Sequence, residues 1–96
     1  MSPNNKKKLY QIRAELDKLD NRLLLLIKKR TYLVDEVVKL KQFKKEIVDK
    51  QRIKIILSKI KYKSKKLNID TNITKRIWKN MIWSYINYER KNFKKK

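Results

Sequence analysis

The chain is 96 residues long, enough for one small domain with a single core, and carries 29 Lys+Arg against 9 Asp+Glu for a formal charge of +20. It contains no Cys and no His, which excludes disulfides, thiol chemistry, imidazole acid–base catalysis and the usual zinc and haem ligand sets, so neither a metal nor a cofactor is expected. The positive charge suits an anionic partner such as nucleic acid, a membrane surface or a small acidic substrate, although a lysine-rich composition alone gives the same excess on solvated faces.

The N-terminal MSPNNKKK reads as a polar arm over residues 1–7 without the apolar core of a signal peptide. The longest apolar run, LLLLI at 23–27, is far too short to span a bilayer. A cytoplasmic chain with no membrane partner is therefore expected. With Gly 0 and Pro 1, that proline at position 3, turn and hairpin signals are missing and helical periodicity dominates.

The first helix is predicted from about Lys7 to about Phe43, with Leu9, Ile12, Leu16, Leu19, Leu23, Leu26, Ile27, Val34 and Val37 on one stripe. KKEIVDKQR breaks that pattern, and Asp49 is placed to cap a second helix with Ile53, Ile56, Leu57, Ile60 and Leu67 as its apolar positions. LNIDTN at 67–72 is the next break, where Asp70 or Thr71 caps a third helix carrying Ile77, Trp78, Met81, Ile82, Tyr85, Ile86 and Phe93. Residues 94–96 read as a frayed basic tail. The expectation is one all-α domain over 1–96 with three helices per chain. At 1.5 Å per residue the first helix extends on the order of 50 Å, against a radius of gyration of roughly 13 Å for a compact domain of this size. Two shorter helices cannot cover so long a stripe, so a homodimer of paired long helices is predicted.

Charged residues interrupt the apolar faces. At about 100° per residue, Arg30, Val37 and Lys41 fall within about 20° of the line through Ile12, Leu19 and Leu23. Lys28, Lys29, Asp35, Glu36 and Lys39 point elsewhere, as solvated charges should. Glu89 falls in the centre of the aromatic face, between Trp78, Ile82, Tyr85 and Phe93. A buried charge without a partner costs several kcal/mol, so these residues need either each other, as an Arg30–Glu89 or Lys41–Glu89 ion pair, or a ligand in a polar pocket. Arg13 and Arg52 flank their stripes at about 100° and about 90°. Taken singly each reads as a surface arginine, but across a paired dimer Arg13 would point into the partner's pocket.

The sequence IRAELDKLDNRLLLLIKKR, then VVKLK, then IVDKQR, then a third helix reaching YINYE, resembles the all-helical chorismate mutases over about residues 9–93. The motif is an Arg, another seventeen residues on, a Lys eleven further, Asp-x-x-Arg, and a final polar residue on the third helix. The resemblance implies an intertwined homodimer with two equivalent sites and Arg13 serving the partner subunit's site. It implies Arg30 and Arg52 as anchors for substrate carboxylates, and Lys41 and Glu89 as groups acting on the ether oxygen. It also places Asp49 and Tyr85 among the substrate-binding residues.

The implied reaction is the pericyclic rearrangement of the dianion chorismate to prephenate, in aromatic amino-acid biosynthesis. That reaction needs no nucleophile, metal or proton transfer, only a compact conformer held by cations and donors aimed at the breaking bond. Two positions depart from the family pattern. Ile53 stands where many members have Glu, and Tyr85 where mutases often have a small hydroxyl residue. Both are similar to the isochorismate-pyruvate lyases, which share the fold and give the alternative reaction, whereas Glu89 is the mutase feature. A basic nucleic-acid-binding helical protein is a further alternative, but it leaves cations on an apolar stripe, where phosphates cannot reach, unexplained; no nucleic-acid partner is therefore expected.

Overall fold

Ser2 sets the start of the first helix. Its hydroxyl accepts the backbone N–H of Asn5 at 3.2 Å and its carbonyl accepts that of Lys6 at 2.8 Å, while Pro3 occupies the first helical position, where a missing N–H costs nothing. In the computed structural model, which describes residues 1–94, helix α1 therefore runs over Pro3–Leu40, 38 residues. It begins four positions before the expected Lys7 and ends three before Phe43. A single 3-10 turn follows at Lys44–Ile47, then α2 at Lys50–Lys66 and α3 at Thr71–Asn92. Among the described residues there is no strand, and no helix is long and apolar enough to cross a membrane. Lys94 is non-helical and exposed, and the rest of the expected basic tail lies outside the described residues.

The chain divides into two units, Met1–Leu33 and Val34–Lys96. The first is helical from Pro3 on, and its apolar stripe is open: Ile12, Leu16, Leu19, Leu23, Leu26 and Ile27 are all classed as exposed, and α1 buries no residue. Lys18 meets Glu15 at 3.4 Å on its polar side, a solvated i,i+3 pair.

The second unit holds the core. Ile47, Ile82 and Ile86 are buried, with Val48, Ile53, Ile56, Leu57 and Phe93 packed against them. Burying each isoleucine contributes about 1.5–3 kcal/mol. Both short helices begin as the sequence predicts. The Asp49 carboxylate accepts the Arg52 N–H at 2.9 Å, and the Asp70 carboxylate accepts the Asn72 N–H at 2.8 Å, so Asp70 rather than Thr71 is the cap of α3.

The link between α2 and α3 is tight without glycine. Asn68 takes the left-handed conformation at φ 57°, which asparagine tolerates better than most residues. Its N–H donates to the Lys65 carbonyl at 3.2 Å and that of Ile69 to the Ser64 carbonyl at 2.9 Å, closing a Schellman turn. This reversal leaves Leu67 exposed instead of on the α2 stripe, and Ile77 is likewise exposed on α3. A buried pair of hydroxyls cross-links the two helices, Ser64 Oγ to Thr74 Oγ1 at 2.8 Å. Each hydroxyl also has a backbone carbonyl within reach, that of Ile60 at 2.6 Å for Ser64 and that of Thr71 at 3.4 Å for Thr74, so one of the two donates across the pair and the other to its own helix.

Candidate active site

Lys41 lies just beyond α1, not on it. To continue the helix, the N–H groups of Gln42 and Phe43 would have to reach the carbonyls of Val38 and Lys39. Both donate instead to one carboxylate oxygen of Glu46, at 2.7 and 3.1 Å. Hydrogen bonds to a charged acceptor compete well with backbone partners, so the helix stops, and the Lys41 N–H closes a shorter loop to the Val38 carbonyl at 3.1 Å. The N–H groups of Phe43 and Gln42 hold the Glu46 carboxyl below its ordinary pKa. One residue on, Ile47 is buried against Ile82 and Ile86. The segment bearing Lys41 is thus fixed by a carboxylate at one point and by the core at another. The helical phase that placed Lys41 beside Val37 ends before it.

Its side chain nonetheless reaches the other anomalous charge. Lys41 Nζ stands 3.1 Å from Glu89 Oε1, with side-chain exposures of 18% and 9%. Glu89 is buried on α3, with Ile82 and Ile86 buried and Trp78, Tyr85 and Phe93 half-buried on the same helix and its end. Of the two ion pairs left open by the sequence, the Lys41–Glu89 pair forms. Two charges so far from water need close geometry to offset their desolvation, and removing either would leave the other stranded.

The remaining predicted residues are placed as follows. Asp49 and Arg52 are brought together through the α2 cap, where the Asp49 carboxylate already accepts a backbone N–H, and both side chains are exposed. Tyr85 is half-buried one turn before Glu89, its ring edge-on to that of Tyr88 at 6.4 Å and 88°. In the first unit Arg13 is exposed and Arg30 half-buried.

Asp35 departs from expectation. It is half-buried rather than solvated, and it accepts the Tyr88 hydroxyl at 2.7 Å. That bond, chiefly, raises the Tyr88 pKa above the ordinary tyrosine value. Glu36 meets Lys39 at 3.1 Å on the surface, as expected of solvated charges. The sequence carried little signal for the Tyr88–Asp35 bond, because a tyrosine beside an apolar stripe reads as packing and an aspartate off it as surface.

The arrangement puts a cationic donor and a carboxyl group side by side in a largely dry place, the equipment for handling an oxygen that gains negative charge. A family model described as "Chorismate mutase type II" matches residues 12–90. The chain belongs to the chorismate mutase type II family. Among characterised proteins it is 37% identical over 76 residues to a chorismate mutase of Methanocaldococcus jannaschii, covering 78% of this chain and 77% of that one. No solved structure matches the chain. The span matched to the type II mutases includes every predicted site residue, from Arg13 to Glu89. A separate groove of about 320 Å³ between α2 and α3, lined by Leu57, Ile60, Lys61, Thr71, Thr74 and Lys75, includes none of them.

Proposed function

We propose that the chain is an isomerase that converts chorismate to prephenate. The observation that carries this reading is the Lys41–Glu89 pair, two buried charges in contact within the segment matched to the chorismate mutases. As the ether bond breaks, its oxygen gains negative charge. Lys41 donates an N–H to that oxygen, and the Glu89 carboxyl group beside it acts on the same oxygen. Arg30 and Arg52 hold the substrate's carboxylates together with Arg13 of the partner subunit, selecting the compact conformer in which the new bond can form. Asp49 orients Arg52 by capping α2 beneath it, and Tyr85 lines the site beside Glu89.

This reading requires a homodimer. The six exposed residues of the predicted stripe from Ile12 to Ile27 on the first unit form the surface that a second copy would bury, and Arg13 lies next to Ile12. Contiguous apolar faces of this kind mark interfaces.

Tyr85 and Ile53 favour the isochorismate-pyruvate lyase reaction as the second reading, and Ile53 packs against the core, so that position offers no carboxylate for a ring hydroxyl. Incubating the purified protein separately with chorismate and with isochorismate and identifying the products tests both. Prephenate from chorismate is the expected result. Pyruvate released from isochorismate, with chorismate untouched, would replace it with the lyase. Polyanion binding with neither substrate consumed would return the chain to the nucleic-acid class.

A further inference from the structure

Two side-chain bonds in the second unit join positions far apart in the chain. Lys41–Glu89 spans 48 residues and Asp35–Tyr88 spans 53. They are neighbours at both ends. Tyr88 directly precedes Glu89 on α3, and Asp35 lies on the last turns of α1, which lead into Lys41. The Tyr88 ring also meets the Tyr85 ring in a T-shaped contact, a favoured arrangement for an aromatic pair.

We infer that Tyr88 is a positioning residue for the reaction: its hydroxyl, held by Asp35, sets the level of α3 against the end of α1, and so the distance between Glu89 and Lys41, while its ring edge fixes Tyr85. The inference rests on the mutase reading above. A bond of 2.7 Å to a carboxylate is strong and directional. It tolerates little sliding of one element past the other. A tyrosine phenol is protonated throughout the neutral range, so the donor is always present there, and the bond to Asp35 raises its pKa further.

Both charges sit on side chains long enough to pair over several geometries, so their contact alone does not define where their donors point. The phenol–carboxylate bond supplies that definition. It acts where the breaking bond is, whereas the substrate's carboxylates are held by arginines elsewhere. Its loss should therefore lower kcat and leave KM nearly unchanged.

The test uses full-length Tyr88→Phe, Asp35→Ala and the double variant, assayed on chorismate at a temperature where circular dichroism shows each to be folded. Tyr88→Phe keeps the ring contact and removes only the donor. Asp35→Ala removes the acceptor with the best helix-forming residue, so it reads the same bond if Tyr88→Phe does not fold. Each single variant should lose about tenfold in kcat with KM within about twofold, and the double variant should be no worse than either single one. A wild-type kcat in a folded single variant, losses confined to KM, or losses that multiply in the double variant would each overturn the inference. An active wild type beside unchanged variants would sink this inference alone. A wild type that consumes no chorismate would instead sink the mutase reading on which it rests.

Discussion

Lys41 and Glu89 interrupt apolar faces in the sequence and meet at 3.1 Å in the structure. Each is the other's counter-ion in the free chain, and in the proposed reaction both face the ether oxygen of the substrate. Lys41→Ala and Arg30→Ala are each expected to lower kcat/KM at least about a hundredfold, the scale of removing one donor from a preorganised site. Steady-state kinetics on chorismate checks both. Glu89→Gln should keep turnover, because an amide of nearly the same shape donates an N–H at every pH. An inactive Glu89→Gln would instead assign Glu89 a role that needs its negative charge. The anomaly of both charges was legible from the helical wheel. For Glu89 the wheel gave the reason as well, since α3 runs unbroken through it. For Lys41 the wheel pointed to a partner of Glu89 by a phase that stops at Leu40. Asp35 was misread because the wheel of one helix carries no information about a tyrosine 53 residues away.

Among elements, the breaks that bound α2 and α3 were legible, whereas both ends of α1 were not. Asp49 and Asp70 signal their caps locally, through a short side chain that can reach only its own next turn. The stop of α1 depends on Glu46 reaching back to Gln42 and Phe43, and nothing in the apolar periodicity records that competition. Because those two N–H groups hold the Glu46 carboxyl below its ordinary pKa, they favour the folded state above the unfolded carboxylate range. That contribution disappears as pH falls through the lowered folded value. Thermal melts from neutral to acid pH should therefore show a loss in the wild type that is reduced in Glu46→Gln. Identical profiles would mean that the turn does not depend on this carboxylate. The Ser64–Thr74 contact was equally hidden, since two hydroxyls on separate helices give no periodic signal. Ser64→Ala leaves the buried Thr74 hydroxyl only its long 3.4 Å bond to the Thr71 carbonyl and should cost about 0.5–1.5 kcal/mol in denaturant unfolding. Ser64→Ala with Thr74→Val, which removes both polar ends, should recover part of that loss. Equal stability of the single and double variants would show that the hydroxyls do not depend on each other.

For the whole molecule, the proposed homodimer accounts for both the open stripe from Ile12 to Ile27 and the exposed Arg13 beside it. If a second copy covers the stripe, Arg13 of each chain lies against the other chain's site, and no site is complete within one protomer. The mixing of two dead variants, Arg13→Ala and Arg30→Ala, tests this shared dicarboxylate site most directly. Each should be inactive toward chorismate as a homodimer. After unfolding and refolding together, with sedimentation and mass analysis showing that heterodimers form, prephenate production should return. The recovered level should match one working site per heterodimer, because one of the two sites then draws both arginines from unaltered positions. Heterodimers that form and remain inactive would contradict the account.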